Sequence, residues 1–203
     1  DSDWLYGSDE KSIYSETQAR LKAHVLNLKF RGYKKELHNN TNWTSLIGYK
    51  HERFSFVAGD GWQTSYMTDP PSTIDIEGDA IEYDITYKIP YIGLLIFNNS
   101  DNVIYYSLEG AYIPRFWARD HDYHILRNKN AYIKANGSGF NFKADISYQI
   151  YNNFFVLAAY EYFKVSGDGI QRQEFADGSI YDDIEAKIIS EQKIMNIGGS
   201  YSF

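Results

Sequence analysis

The sequence predicts an all-β fold, a transmembrane antiparallel up-and-down β-barrel. Three observations carry this expectation. The first is alternation: apolar residues recur at every second position in segment after segment, while few stretches keep the i, i+3, i+4, i+7 stripe of a helix. The second is composition, with 19 Tyr and 12 Phe against 4 Pro in 203 residues. Aromatic residues favour strands and bilayer interfaces. The third is punctuation, since short polar turns alternate with long polar stretches, as in a meander with its turns at one end and its loops at the other. The chain is hydrophilic on average. That suits a membrane barrel, in which only alternate residues face lipid. No apolar run reaches the roughly 18 residues of a membrane helix.

About seven strands follow in order, at roughly 17–33, 42–66, 80–98, 102–119, 132–151, 153–170 and 185–203. In the first, Leu26, Leu28 and Phe30 alternate with Asn27, Lys29 and Arg31. The polar turn His38-Asn39-Asn40-Thr41-Asn42 leads into the second. The third carries the row Ile85, Tyr87, Ile89, Tyr91, Leu95 and Phe97, facing away from Asp84, Thr86 and Lys88. After the turn Asn98–Asn102, the fourth sets Ile104, Tyr106 and Leu108 against Ser107 and Glu109. In the fifth, Phe142, Ala144, Ile146, Tyr148 and Ile150 oppose Lys143, Asp145, Ser147 and Gln149. Asn152-Asn153 turns the chain into the sixth. The seventh alternates Met195, Ile197, Gly199, Tyr201 and Phe203 with small or polar residues, ending on an aromatic. Long loops are expected near 66–80, 118–131 and 166–184, and Glu109, Lys143 and Asp145 are expected to pair inside the barrel. No fixed-period repeat or linker divides residues 1–203, so a single domain is expected. Bacterial membrane barrels of one chain close with an even number of strands. The odd count therefore predicts further strands on the N-terminal side.

Charge and composition exclude several functions. With 20 Lys+Arg against 27 Asp+Glu, the formal charge is −7, which argues against binding of nucleic-acid phosphates. The absence of Cys removes disulfides, thiolate zinc sites and thiol nucleophiles. Five His are present, but no His-Glu-x-x-His spacing, so no metal site is expected. No Gly-x-Ser-x-Gly elbow or phosphate-binding glycine loop occurs.

Two acidic clusters remain. Asp120, Asp122 and His124 stand two apart in Asp120-His121-Asp122-Tyr123-His124. On a strand they share a face, where a carboxylate can orient the imidazole as a general base; His121 then points the other way. From spacing alone, a charged loop tip is the simpler reading. Asp1 and Asp3 repeat the two-residue spacing. Close carboxylates tend to share a proton and can hold a water, although a solvated acidic terminus has the same pattern.

The clusters and the barrel pattern together resemble the omptin family of Gram-negative outer-membrane proteases. The resemblance rests on Asp1-Ser2-Asp3-Trp4, Gly48-Tyr49 with Arg53-Phe54-Ser55-Phe56, Lys88-Ile89-Pro90-Tyr91-Ile92-Gly93-Leu94, Asp120–His124 and the closing Gly199-Ser200-Tyr201-Ser202-Phe203. These stand in family order across essentially the whole chain. The resemblance implies a ten-stranded barrel, of which about three N-terminal strands are absent from residues 1–203. It implies an endopeptidase of the aspartic type that cleaves at Arg or Lys, needs no metal or other cofactor, and faces outward from the outer membrane. Asp1 and Asp3 match the family's aspartate pair, and Asp122 and His124 match its Asp–His couple, with an activated water between them. Asp120 matches an acid of the pocket for the basic side chain, which fits cationic peptide or protein substrates. Asp9, Glu10 and Glu16 are expected in the first loop, as acids shaping the far side of the groove. Lipopolysaccharide is implied as an activating lipid, with Tyr49 and Arg53 at two positions of its binding patch. His51 and Thr86 stand where the family has an acid and an Arg, and Lys134 lies near a third basic position. The other reading is a non-catalytic outer-membrane barrel acting as an adhesin, which needs the strands and loops but not Asp1, Asp3, Asp122 and His124 together.

Overall fold

The computed structural model describes residues 2–7, 10–38, 40–98, 103–151 and 153–201, with side chains from Ser12 onward except at His38. The described residues form one antiparallel sheet. Its strands are β1 (Ser2–Gly7), β2 (Glu10–Arg31), β3 (Lys35–His38), β4 (Thr41–Ser65), β5 (Ser72–Asn98), β6 (Ile104–His124), β7 (Lys129–Tyr151), β8 (Phe154–Glu174) and β9 (Ile180–Tyr201). Each strand pairs with its sequence neighbour in the order β1-β2-β4-β5-β6-β7-β8-β9, while β3 adds to the end of β4. This is the up-and-down meander that the alternation predicts.

All seven expected strands are present. β1 and β3 were not anticipated, and the strands run further than their apolar rows. Between β6 and β7 the structure holds a single 3₁₀ turn, Ile125–Arg127, where a loop over 118–131 was expected. β5 likewise begins inside 66–80, and β8 and β9 extend into 166–184. Glu10 and Glu16 belong to β2, not to a loop. The reason is physical. Past the apolar rows, neighbouring strands keep exchanging backbone hydrogen bonds, which hold the ladder whether or not one face is greasy.

The sheet curls on itself, because inward side chains from distant strands touch. The Tyr91 hydroxyl on β5 donates to Asn27 on β2 at 2.8 Å. Lys50 on β4 lies 4.4 Å over the Phe163 ring of β8, and Gln192 on β9 reaches Glu52 on β4 at 3.4 Å. The interior core comprises Ile85, Tyr87, Ile89, Ile113, Phe116, Phe163, Val165 and Ile188, with Phe116 and Val165 fully enclosed. Thus the third predicted row points inward, whereas the rows of β2, β6, β7 and β9 point out.

Lumen polarity is neutralised in pairs. Lys29 binds both oxygens of Glu109 at 2.7 Å, Lys50 binds Glu52 at 2.7 Å, and Lys143 binds Asp145 at 3.3 Å. Glu109 therefore takes a cation from across the lumen, where pairing with Lys143 was expected.

The outer wall carries a belt of exposed apolar side chains. It runs through Leu26, Leu28, Phe30, Ile47, Ile92, Leu94, Leu108, Tyr112, Phe140, Phe142, Ile146, Met195 and Ile197. A wall that faces lipid presents such a belt. Crossing a bilayer needs only about 9–11 residues of tilted strand, and β4 to β9 have 21 to 27. The surplus projects beyond the belt at the end away from the short turns, and the acidic cluster of β6 lies there.

Candidate active site

One irregularity in β6 decides which way the cluster faces. Before it, Ser107, Glu109, Ala111 and Ile113 are buried inward; after it, Phe116, Ala118 and Asp120 are. Parity switches because the register slips between Ile113 and Phe116 against β7, and between Lys88 and Ile92 on β5. An extra residue on one strand is a β-bulge, and Pro114, which cannot donate to a ladder, sits within it. A slip of one residue turns every later side chain to the opposite face. Without the bulge, Asp120, Asp122 and His124 would share the outer face with Leu108 and Tyr112. With it they point into the interior above the core, and Trp117, Arg119, His121 and Tyr123 point out.

Asp122 and His124 meet: Oδ2 of Asp122 lies 3.0 Å from Nε2 of His124, and both side chains are about three-quarters buried, at 28% and 27% exposure. The other carboxylate oxygen, Oδ1, is buried without a hydrogen-bond partner among the described residues. An unmet buried acceptor costs about 1–3 kcal/mol, so it is suited to a donor arriving with water or substrate. Asp120 is 8% exposed. Burial pushes its carboxyl above the usual carboxylate range; the Tyr83 hydroxyl that donates to it opposes this, and the charge of Asp122 adds to it. Tyr83 is the ladder partner of Asp122, and its ring stacks on Phe56 at 5.0 Å. Burial and the neighbouring Asp120 raise the Tyr83 hydroxyl well above its ordinary value, so it is a donor throughout the working pH range.

Sequence reasoning missed Tyr83, although it stands two residues before Ile85 and extends the inward row of β5 by one period. His121 does face away from the cluster. It stacks on Tyr132 at 4.6 Å, with Nε2 3.0 Å from Asn130 Oδ1.

Asp1 lies outside the described residues, as does the side chain of Asp3, whose backbone pairs with Ser15. Ser15 pairs with Gln63 of β4. The level of Asp122 passes through Tyr83 to Phe56 on the same strand. From Phe56 to Gln63 is about 23 Å along β4 at ~3.3 Å per residue. Three strands, β2, β4 and β5, lie between β1 and β6.

On the outer wall, Tyr49 and Arg53 share the outward face of β4. Nε of Arg53 donates to Asp84 Oδ2 at 2.8 Å. Towards β7, Lys88, Trp117, Arg119 and Lys134 line a groove of about 420 Å³ just past the apolar belt. Arg119 pairs in the ladder with Thr86 and Lys134, and Trp117 with Lys88. None of the three cations has an ion-pair partner among the described residues.

The comparisons agree with this fold. The model of the omptin family matches residues 1–203. Among solved structures, the crystal structure of the outer membrane protease OmpT from Escherichia coli is similar, with a TM-score of 0.72 over 100% of this chain and 72% of that one. At 16% identity that likeness speaks for the fold. A search of curated proteins gives no match.

Proposed function

The chain belongs to the omptin family of outer-membrane proteases, and from that premise we propose that it is an outer-membrane endopeptidase cleaving peptides and proteins at basic residues. The observation that carries the reading is the Asp122–His124 contact of 3.0 Å, on the same inward face as the buried acid Asp120. A proton on Nε2 held by Asp122 leaves Nδ1 with the free lone pair of a general base. In the proposed reaction His124 takes a proton from water, and the hydroxide adds to the peptide carbonyl. The imidazolium, stabilised by Asp122, then returns the proton to the leaving amine as the C–N bond breaks. Asp1 and Asp3 supply the second pair of carboxylates that hold the water and polarise the carbonyl. No acyl-enzyme forms and no metal takes part. Asp120 receives the Arg or Lys side chain before the scissile bond by charge-assisted hydrogen bonding.

The long strand ends are the outside end, so the site opens away from the cell. Lipopolysaccharide is the partner of the outer wall. Arg53 and Tyr49 belong to that surface, but Asp84 already engages Arg53. Lys88, Arg119 and Lys134, grouped around Trp117 at the edge of the apolar belt, are the stronger match for lipid phosphates.

The test is incubation of the full-length protein, refolded in detergent with and without lipopolysaccharide, with a fluorogenic Arg-Arg peptide, with products mapped by mass. Cleavage next to Arg supports the reading. A folded barrel that cleaves under neither condition sinks it and favours an adhesin.

A further inference from the structure

We propose that Tyr83 governs selection of basic side chains, as a positioning residue that keeps Asp120 oriented and charged. The inference rests on Asp120 being the pocket acid. Tyr83 stands directly across the ladder from Asp122, yet its hydroxyl reaches diagonally to Asp120. The ring cannot easily swing away, because it lies against Phe56 with an interplanar angle of 29°. Asp120 has little else to keep it ionised. On its own strand it meets the like charge of Asp122 and, from the outer face, His121; on β5 it meets Asp84 and Tyr83, with Tyr87 nearby. On β7 its partner is the apolar Ile133. A neutral Asp120 has no charge to offer a guanidinium or ammonium group. Removing the one hydroxyl that favours its anion therefore costs selectivity at any pH where the carboxyl begins to protonate.

The readout is the ratio of kcat/KM for a peptide with Arg before the scissile bond to that for the same peptide with Gln there, followed across pH in the full-length protein. In Tyr83→Phe, which keeps the ring, the pH at which this ratio falls by half is expected to rise by on the order of 1 unit. In an Asp120→Asn background, adding Tyr83→Phe is expected to leave the ratio unchanged, as a double-mutant cycle requires of a residue acting through its partner. Should Tyr83→Phe fail to refold, Phe56→Leu, which loosens the ring, is expected to move the midpoint in the same direction. An unmoved midpoint, where Asp120→Asn does lower the ratio, overturns the role of Tyr83 and leaves the protease reading standing. An Asp120→Asn variant with its preference intact removes Asp120 from the pocket, and Tyr83 with it. No cleavage by the parent protein overturns the function and this inference together.

Discussion

Asp120 and Asp122 are two residues apart on one strand face, yet their surroundings assign them different work. Asp122 has His124 at 3.0 Å and in the proposed reaction is the orienting carboxylate. Asp120 sits deeper against Tyr83 and Ile133, where burial raises its pKa. The anion is the form that binds a cation, and it is lost as pH falls through that raised value. Preference for Arg or Lys is therefore expected to fade on acidification at a higher pH than an exposed aspartate would give. A Gln-for-Arg peptide series across pH 4–8 measures this, and a flat ratio contradicts it. Asp122→Asn is expected to lower kcat by roughly 10²–10⁴-fold, the range of a general base that loses its partner, with KM little changed. The residue types and spacing of this cluster were legible in the sequence. The depth of Asp120 and the part played by Tyr83 were not, because both depend on which strand lies opposite, and spacing along one strand does not say.

At the scale of the element, β6 is the informative strand. Its apolar row, Ile104, Tyr106 and Leu108, extrapolated at period 2, puts Asp120 on the lipid side; only the slip between Ile113 and Phe116 turns it inward. Pro114 was the available signal, since proline inside a long strand marks a bulge or an edge. Deleting one residue of the Pro114-Arg115 pair should restore a flat ladder and point Asp120, Asp122 and His124 outward. Activity is then expected to vanish, with the three polar groups moved to the outer wall beyond the belt. Activity near the parent level would show that the bulge does not set the facing. On β4, Gly48 leaves the space that the Tyr91 ring fills: a side chain there meets the ring directly. Gly48→Ala is expected to destabilise the barrel by about 1–3 kcal/mol through overpacking, read as a lower midpoint in denaturant. The apolar rows were plain in the sequence, but the destination of each was not. An inward row such as that of β5 and a lipid-facing row such as that of β7 have the same period and the same hydrophobicity.

For the molecule as a whole, charge is divided between surfaces. The interior pairs its charges, as Lys29 does with Glu109 and Lys50 with Glu52. The outer wall gathers Lys88, Arg119 and Lys134 where the apolar belt ends, and the inward rim carries Asp120 and Asp122. An acidic mouth attracts cationic peptides over distances set by salt. Added salt is expected to lower kcat/KM for an Arg-Arg peptide several-fold while leaving kcat nearly constant; insensitivity to salt would argue against steering. Replacing Lys88, Arg119 and Lys134 by Ala should abolish any gain in activity from lipopolysaccharide with the barrel intact, and an undiminished gain would place that contact elsewhere. The meander was the most legible feature of all, because one pattern repeated through seven strands leaves little room for another topology.

The most direct test is kcat/KM of His124→Ala against the parent protein on a peptide with one Arg-Arg bond. Both proteins are refolded in the same detergent with lipopolysaccharide, and the fold of each is checked by its heat-modifiable gel mobility. With Asp122 and His124 as the water-activating couple, cleavage falls by at least roughly 10²–10⁴-fold while the mobility shift is unchanged. A folded variant that still cuts the bond at the parent rate would contradict the assignment of His124 as the base.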